Sequence, residues 1–199
     1  MKEIEAKFYI SRLDALLPRL TALGAKQLQP RALETNLRFD TPDGDLDAAH
    51  QILRLRQYHT VTLTYKSAAT VDGGVSERVE IETEVGDFET VRQLLEALSY
   101  RVSAVYEKYR AMYLLGEVMV TLDELPYGDF VEIEGTNVAT IREVAEALGL
   151  NWAANITDNY LLLMRRLPGE NRNMLTFEAF EGKKVTPEEL EVIPADAAE

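Results

Sequence analysis

The sequence contains no cysteine and only two histidines, which excludes disulfides and thiolate metal sites and disfavours a histidine-rich metal site. A metal ion bound by this chain would therefore need oxygen ligands. The sequence also lacks a Walker A loop and a G-x-S-x-G motif. The common signatures of P-loop nucleotide binding and of serine-nucleophile catalysis are thus missing.

Basic residues are outnumbered, with 21 Lys and Arg against 34 Asp and Glu, and the formal net charge is −13. This balance disfavours non-specific binding to nucleic acid or to an anionic membrane, so an anionic ligand would need a local cluster of bases. No stretch approaches the roughly 18 consecutive apolar residues of a membrane span, and the first residues lack the apolar core of a signal peptide. We therefore expect a cytoplasmic protein that binds neither nucleic acid nor membrane.

Three segments repeat one pattern, in which a strand with alternating charges is followed by an amphipathic helix. The first predicted helix has Ser11 as its N-cap, contains Pro18 and ends at Gly24; the second begins near Asp87; the third ends before Gly149. Their apolar stripes predict which residues are buried. These residues are Leu13, Leu16, Leu17, Leu20 and Leu23; Val91, Leu94, Leu95 and Leu98; and Ile141, Val144, Ala145 and Leu148.

Further strands are predicted between the helices from runs of β-branched and aromatic residues. They span about 34–39, 51–58, 61–67, 104–115 and 118–124. Eight strands with about three helices indicate an α+β fold with a large antiparallel sheet, formed as one domain over residues 1–167. Residues 168–199 are expected to be an extension that is partly ordered at most, with a loop, a short capped helix at "TPEEL" and a disordered tail from Pro194.

Charged residues recur two positions apart along at least six of these strands, which places each set on one face. The sets are Glu3, Glu5 and Lys7; Arg54 and Arg56; Arg78, Glu80, Glu82 and Glu84; Lys108 and Arg110; and Glu132 and Glu134, with single charges at Lys66 and Asp123. One interpretation is that they form the solvent faces of ordinary antiparallel strands. The other is that the sheet curls into a barrel with a charged lumen, which would suit a polyanion bridged by divalent cations.

Several ordered motifs make the chain resemble the CYTH superfamily, also called triphosphate tunnel metalloenzymes. The family motif E-x-E-x-K is present as Glu3, Glu5 and Lys7, and "LRLR", "LTYK", "VEIET", "YEKYR" and "VTLDELPYGDFVEIEG" follow in order. The similarity covers residues 1–165 and is greatest to the bacterial and archaeal proteins related to class IV adenylyl cyclase. It departs from many relatives at Arg38, where they carry Tyr; this arginine would either add a phosphate contact or point outward. It departs again after Tyr160, where a Glu is missing, so that the end of the tunnel would differ.

The resemblance implies an eight-stranded antiparallel barrel that forms a tunnel for a small-molecule triphosphate with Mg²⁺ or Mn²⁺. It assigns metal binding to Glu3, Glu5, Glu80, Glu82, Asp123, Glu132 and Glu134. It assigns substrate binding to Lys7, Arg54, Arg56, Lys66, Lys108 and Arg110. Glu5, Lys7 and Asp123 are the implied catalytic residues, and a homodimer is left open.

Three functions fit this assignment. The first is metal-dependent hydrolysis of inorganic tripolyphosphate, a nucleoside triphosphate or thiamine triphosphate, since phosphoryl transfer depends mainly on charge neutralisation and positioning. The second is cyclisation of ATP to cyclic AMP and pyrophosphate by a class IV type of adenylyl cyclase. The third is non-catalytic sensing of polyphosphate or a nucleotide, although a pure anion trap gains little from so many carboxylates.

Overall fold

The computed structural model describes residues 2–72, 75–168 and 173–196, and the side chains of 4–70, 77–168 and 173–196. Eleven strands are present in this part of the chain: β1 (Lys2–Ile10), β2 (Lys26–Asp40), β3 (Ile52–Gln57), β4 (Val61–Lys66), β5 (Thr70–Asp72), β6 (Val75–Val85), β7 (Arg101–Leu115), β8 (Val118–Leu125), β9 (Gly128–Gly135), β10 (Asn155–Ile156) and β11 (Met174–Leu175). The α-helices are α1 (Leu16–Ala22), α2 (Asp45–Ala48), α3 (Phe88–Ala97), α4 (Val138–Ala147) and α5 (Tyr160–Met164). Short 3-10 turns span Leu13–Ala15 and Trp152–Ala154.

Eight of the strands form a closed ring. Their order is β1-β9-β8-β7-β2-β3-β4-β6, and β6 pairs again with β1. Every pairing within the ring is antiparallel. The α+β fold with an eight-stranded antiparallel barrel is thereby confirmed.

Alternation along the strands sends apolar side chains outward under the helices and charged side chains inward. Outside the ring, the fully buried Phe8, Val120 and Ile133 pack in one core with Leu20 of α1 and Ile141 of α4. A smaller core on another side joins the sheet to α3, and its buried residues are Leu37, Phe39, Leu55 and Leu95. The helices therefore cover the outside of the ring, and the charged faces are interior, because successive side chains on a strand point to opposite faces.

An apolar cluster closes one end of the ring. Tyr9 and Phe130, at the end of β1 and the start of β9, pack edge to face with ring centroids 5.3 Å apart. Tyr160 of α5 also packs edge to face with Phe130, with ring centroids 5.1 Å apart, and the same core includes Tyr106, Leu161, Phe180 and Leu190. This cluster, which we call the plug, is built largely from residues that follow 150.

The C-terminal segment is more ordered than its sequence indicated. Pro194 pairs with Tyr9, whose carbonyl accepts the N–H of Ala195 at 2.9 Å. The carboxylate of Asp196 accepts the N–H groups of Ser11 and Arg12, each at 2.8 Å. The expectation of disorder from Pro194 is therefore wrong for residues 194–196, while 197–199 lie outside the described residues, as do 169–172 of the predicted "PGENRN" loop.

Several predicted boundaries are confirmed and others need correction. Asp87 caps α3 by accepting the N–H of Thr90 at 2.7 Å, and Gly24 and Gly149 end their helices with positive φ. Ser11 is not an N-cap, since the cap positions of the first 3-10 turn and of α1 are Arg12 and Ala15. The "TPEEL" segment forms a hydrogen-bonded turn instead of a helix, although Thr186 and Glu189 cap each other as a helical start would.

Burial of the helix stripes also differs from prediction in part. Leu16, Leu20, Leu95, Ile141, Ala145 and Leu148 are buried as expected. Leu17, Leu23, Leu94 and Leu98 are instead exposed, because short helices on the outside of a curved ring present only a narrow face to it. In the described residues no helix has both the length and the apolarity needed to cross a membrane.

Candidate active site

The ring encloses a cavity of about 650 Å³. Nearly all the candidate residues line it: Glu5, Lys7, Arg54, Arg56, Lys66, Glu80, Glu82, Lys108, Arg110, Glu132 and Glu134. Asp123 lies behind this wall, fully buried, and the side chain of Glu3 lies outside the described residues. The structure therefore supports the interpretation in which the charged strand faces line the interior of the barrel.

Asp123 on β8 is the centre of the buried part of the site. Its two carboxylate oxygens accept hydrogen bonds from Arg110 at 2.7 and 2.5 Å, and one of them also accepts from Lys108 at 2.9 Å. The hydroxyl of Tyr160 donates a further bond at 2.8 Å. Asp123 therefore holds the two bases of β7 and fastens α5 of the plug to the ring. Its position differs from that of the other candidate metal ligands with described side chains, because Asp123 is fully buried behind the cavity wall and they line the cavity.

Glu34 on β2 is a second fully buried carboxylate beside the same bases. Lys108 and Arg110 approach its oxygens at 3.6 and 3.7 Å, and the amide of Asn36 donates to it at 2.9 Å. Burial alone would raise the pKa of Glu34, but the charges of Lys108, Arg110 and the arginines of β3 outweigh it and lower the pKa to about 2. Glu34 is thus ionised at neutral pH.

Glu132 and Lys7 face each other across β9 and β1. The Lys7 ammonium lies 3.4 Å from Glu132, donates to the carbonyl of Asp158 at 3.1 Å and sits 4.4 Å from the centre of the Tyr160 ring. Arg110 also donates to Glu132, at 2.6 Å. Burial opposes ionisation of Glu132, but the positive charges of Lys108, Lys7 and Arg110 keep its pKa well below the usual range.

On the wall formed by β3, β4 and β6, arginines of β3 contact glutamates of β6. Arg56 donates to both oxygens of Glu82, at 3.0 and 3.1 Å, and to Thr62 at 3.1 Å. Arg54 lies 3.7 Å from Glu82 and 4.0 Å from Glu80. Ion pairs of this kind hold the wall together, and a phosphate could replace the glutamate as the partner of each arginine.

The carboxylates near the start of β1 and the end of β9 have the chemistry of a divalent cation site. Glu5 and Glu134 lie directly opposite each other in the strand register, where two negative charges repel unless a cation joins them. Among the described side chains no three acidic or histidine residues form a cluster that could hold a metal ion. Two carboxylates nevertheless suit Mg²⁺, which is usually bound by one or two carboxylates together with substrate phosphates.

Sequence reasoning missed several residues that the cavity brings together. Tyr106 and Tyr160 line it. Arg78, which the sequence placed on a charged strand face without a role in the site, lines it too and lies 3.5 Å from Glu5. Glu34 and Asn36 are buried behind it. The signal for these last two was available, since "ETNLR" places Glu34, Asn36 and Arg38 on the same face of one strand. Tyr160 carried no such signal, because its position depends on the packing of α5.

The wall of the cavity is more basic than the protein as a whole. Its described side chains include eight bases and five acids, in a chain whose net charge is −13. Glu34 and Asp123 lie behind the wall and offset part of that excess. Burial opposes the charge of Arg110, but Asp123, Glu34 and Glu132 raise its pKa well above the usual range, so it stays protonated. Such a cavity attracts a small anion while it keeps carboxylates within reach of a cation.

Known proteins are similar to this chain in sequence and in fold. Adenylate cyclase CyaB of Aeromonas hydrophila is 30% identical over 132 residues, which cover 66% of this chain and 67% of the relative. The PH1012 protein of Pyrococcus horikoshii OT3 superposes with a TM-score of 0.68 at 27% identity, over 79% of this chain and 96% of that one. HpAC1 of Hippeastrum, for which a dominant triphosphatase activity is described, has the same fold with a TM-score of 0.62 at 21% identity, over 82% and 95% of the two chains.

The family profile agrees with these relatives and with the geometry of the ring. The profile described as the CYTH domain matches residues 1–150, from the first strand of the ring through the end of α4. The plug residues after 150 lie beyond that match. The chain therefore belongs to the CYTH family.

Proposed function

We propose that the protein hydrolyses a triphosphate in a reaction that depends on Mg²⁺ or Mn²⁺. The observation that carries the proposal is the cavity itself, in which bases that suit phosphate oxygens share one wall with carboxylates that suit a hard cation. Its volume of about 650 Å³ is within the range of small-molecule sites. The activity described for HpAC1, a protein of the same fold, agrees with hydrolysis.

The roles of the residues follow from their positions. Lys7, Arg54, Arg56, Lys66, Lys108 and Arg110 bind the phosphate oxygens. Glu5, Glu134 and Glu132 are the candidate metal ligands of β1 and β9, with Glu80 and Glu82 on β6 and Glu3 as a further candidate. When bound, the cation neutralises phosphate charge as it develops. Asp123 acts by fixing Lys108 and Arg110, because its oxygens already accept four hydrogen bonds.

In this reaction a water oxygen forms a bond to the terminal phosphorus and the bridging P–O bond breaks. Tripolyphosphate would then yield phosphate and pyrophosphate, and a nucleoside triphosphate would yield the diphosphate. The protein contributes positioning and charge stabilisation, which are the main requirements of phosphoryl transfer. Lys108 and Arg110 are buried and already held by Asp123, so these two bases need little reorganisation when the substrate binds.

Cyclisation of ATP is the second candidate, and the similarity to Adenylate cyclase CyaB favours it. In that reaction the ribose 3′-hydroxyl would attack the α-phosphorus and pyrophosphate would leave. The two reactions use the same phosphate contacts and differ in which phosphorus is attacked. The residues around the cavity therefore support both chemistries, and the products distinguish them.

Product analysis tests the proposal. The purified chain is incubated with ATP, inorganic tripolyphosphate or thiamine triphosphate and with Mg²⁺ or Mn²⁺, and the products are separated by ion-exchange chromatography. Free phosphate from at least one substrate, abolished by EDTA, is the expected result. Cyclic AMP and pyrophosphate without free phosphate would establish the cyclase instead. Tight binding without turnover of any substrate would establish a sensor.

A further inference from the structure

Arg38 lies on the cavity wall at the closed end, where it faces another arginine. In the strand register Arg38 of β2 is directly opposite Arg54 of β3, and both line the cavity. Two positive charges in this arrangement repel each other, which destabilises a sheet unless an anion lies between or beside them. Arg38 also lies in register with Ala104, and the plug residues Tyr106 and Leu161 line the same cavity.

The charge of Arg38 has little compensation within the protein. Among the described side chains, Asp47 of α2 is the one carboxylate within 4.0 Å of its guanidinium, at 3.7 Å. Asp47 is 55% exposed and is shared with Arg165, which lies 3.9 Å from its other oxygen. Burial lowers the pKa of Arg38, and the nearby Tyr106 and Asp47 oppose this effect only in part.

Arg54 has unused hydrogen-bonding capacity as well. Its guanidinium donates to the hydroxyls of Tyr106 and Thr64 at 3.4 Å each, which are long hydrogen bonds. Its Nε is buried and has no hydrogen-bond partner in the protein, and the residue as a whole is only 9% exposed. A buried donor without a partner costs free energy that a ligand acceptor would recover.

We propose that Arg38 and Arg54 form a subsite for the free terminal phosphate of the substrate, and that Asp47 competes for Arg38 when no substrate is bound. The inference rests on the proposed function and adds the requirement that the substrate carries an uncapped terminal phosphate. Two facing guanidinium groups suit that phosphate best, because it has close to two negative charges at neutral pH whereas an internal phosphate has one. Their planar forks also match its three free oxygens.

Calorimetric titration with EDTA present tests the subsite without turnover. Inorganic tripolyphosphate has two free ends, whereas diadenosine triphosphate has none. Arg38→Gln should weaken tripolyphosphate binding about tenfold or more, the usual effect of losing hydrogen bonds to a charged group. Diadenosine triphosphate has no terminal phosphate for Arg38 to bind. The same substitution should therefore change its binding constant by less than about twofold.

Asp47→Asn provides a second variant on an exposed side chain, so that a fold defect cannot explain its effect. It should tighten tripolyphosphate binding about twofold to fivefold, as expected for release of a partly exposed ion pair. The matched control is Asp43→Asn, which removes the same charge from an exposed position before the same helix. Equal effects of the two variants would show that the loss of any nearby negative charge strengthens binding. That outcome would overturn the proposed competition between Asp47 and the substrate.

The outcomes separate this inference from the proposed function. If the wild-type chain binds no tripolyphosphate in EDTA, the subsite is wrong, and phosphate release in the presence of Mg²⁺ or Mn²⁺ decides the proposed function separately. If the wild type binds and Arg38→Gln binds equally well, the subsite alone is wrong. A loss of equal size for tripolyphosphate and diadenosine triphosphate would show that Arg38 contacts an internal phosphate and would overturn the assignment to the terminal one.

Discussion

The acidic residues of the site fall into two groups that differ in burial. The buried acids, Glu34 and Asp123, are fully inaccessible and contact Lys108 and Arg110 closely. The wall acids, represented by Glu5 and Glu82, are 15% and 34% exposed and each contact arginines of the wall. Both groups consist of carboxylates beside bases, and their surroundings give them different roles.

The difference shows how one kind of ion pair can serve either structure or binding. Removing one partner of a buried pair leaves the other charged, buried and unpaired, so the buried acids maintain the shape of the site. A pair at the cavity wall can exchange its partner for a ligand at small cost, because solvent and ligand both reach it. We therefore expect substitutions in the buried group to reduce stability and substitutions in the wall group to reduce function.

The largest effect on stability is expected for Asp123→Asn. The substitution removes the closer of the two carboxylate charges that Lys108 and Arg110 share, and breaking a buried pair in this way costs about 3–5 kcal/mol. Urea denaturation followed by circular dichroism would measure the loss. Glu5→Gln is the comparison from the wall and should change the free energy of unfolding by no more than about 0.5 kcal/mol. Similar losses in both variants would contradict the division into two groups.

Glu5→Gln should greatly reduce activity while it leaves stability nearly unchanged, in contrast to the stability loss expected for Asp123→Asn. The substitution removes a candidate ligand of the cation, whose charge stabilisation contributes several kcal/mol. Metal-dependent turnover should therefore fall about 100-fold to 1,000-fold, measured as phosphate release at saturating substrate. Glu117→Gln, which changes an exposed carboxylate in the turn after β7, should retain full turnover. Retained turnover in Glu5→Gln would remove Glu5 from the metal site.

Local patterns were sufficient to predict which charged side chains share a strand face, whereas the closed ring was implied by the resemblance to the CYTH superfamily. The period-2 alternation in E-x-E-x-K and in "LRLR" fixes which side chains share a face, and this depends only on the strand itself. The candidate residues of both motifs with described side chains, Glu5, Lys7, Arg54 and Arg56, accordingly line the cavity. The sequence also indicated the helix ends at Gly24 and Gly149, since positive φ at those positions favours glycine.

Features that depend on contacts between distant parts of the chain were not predictable in the same way. Asp123 meets Arg110 because of the register between β8 and β7, and its burial follows from the closing of the ring. The plug joins Tyr9 to Leu190 across most of the chain length, and the N–H of Ala195 bonds the carbonyl of Tyr9. The segment after 168 has no periodicity that would reveal these contacts. Its apolar residues are scattered, so they were interpreted as an extension.

Ionisation of Glu34 should make the free energy of unfolding depend on pH. The pKa of Glu34 is lowered to about 2 from 4.5, so its ionised form stabilises the fold above pH 4.5 and this contribution is lost as the pH falls toward 2. The difference in unfolding free energy between wild type and Glu34→Gln should therefore shrink by about 2 kcal/mol between pH 6 and pH 3. Urea denaturation at both pH values measures it. Glu132, whose pKa is also lowered, contributes in the same direction to both proteins and cancels in the difference.

The smallest effect is expected for Arg56→Ala, which tests the wall from its basic side. Arg56 already bonds both oxygens of Glu82, so a phosphate must replace that carboxylate and gains only the difference between the two partners. Binding of tripolyphosphate in EDTA should weaken about tenfold, near the low end for a hydrogen bond to a charged group. Arg142→Ala, at an exposed arginine of α4 paired with Glu146, is the control and should bind like wild type. If Arg56→Ala also binds like wild type, Arg56 keeps Glu82 as its partner in the complex and does not bind phosphate. That ion pair would then maintain the shape of the site, as the buried acids do.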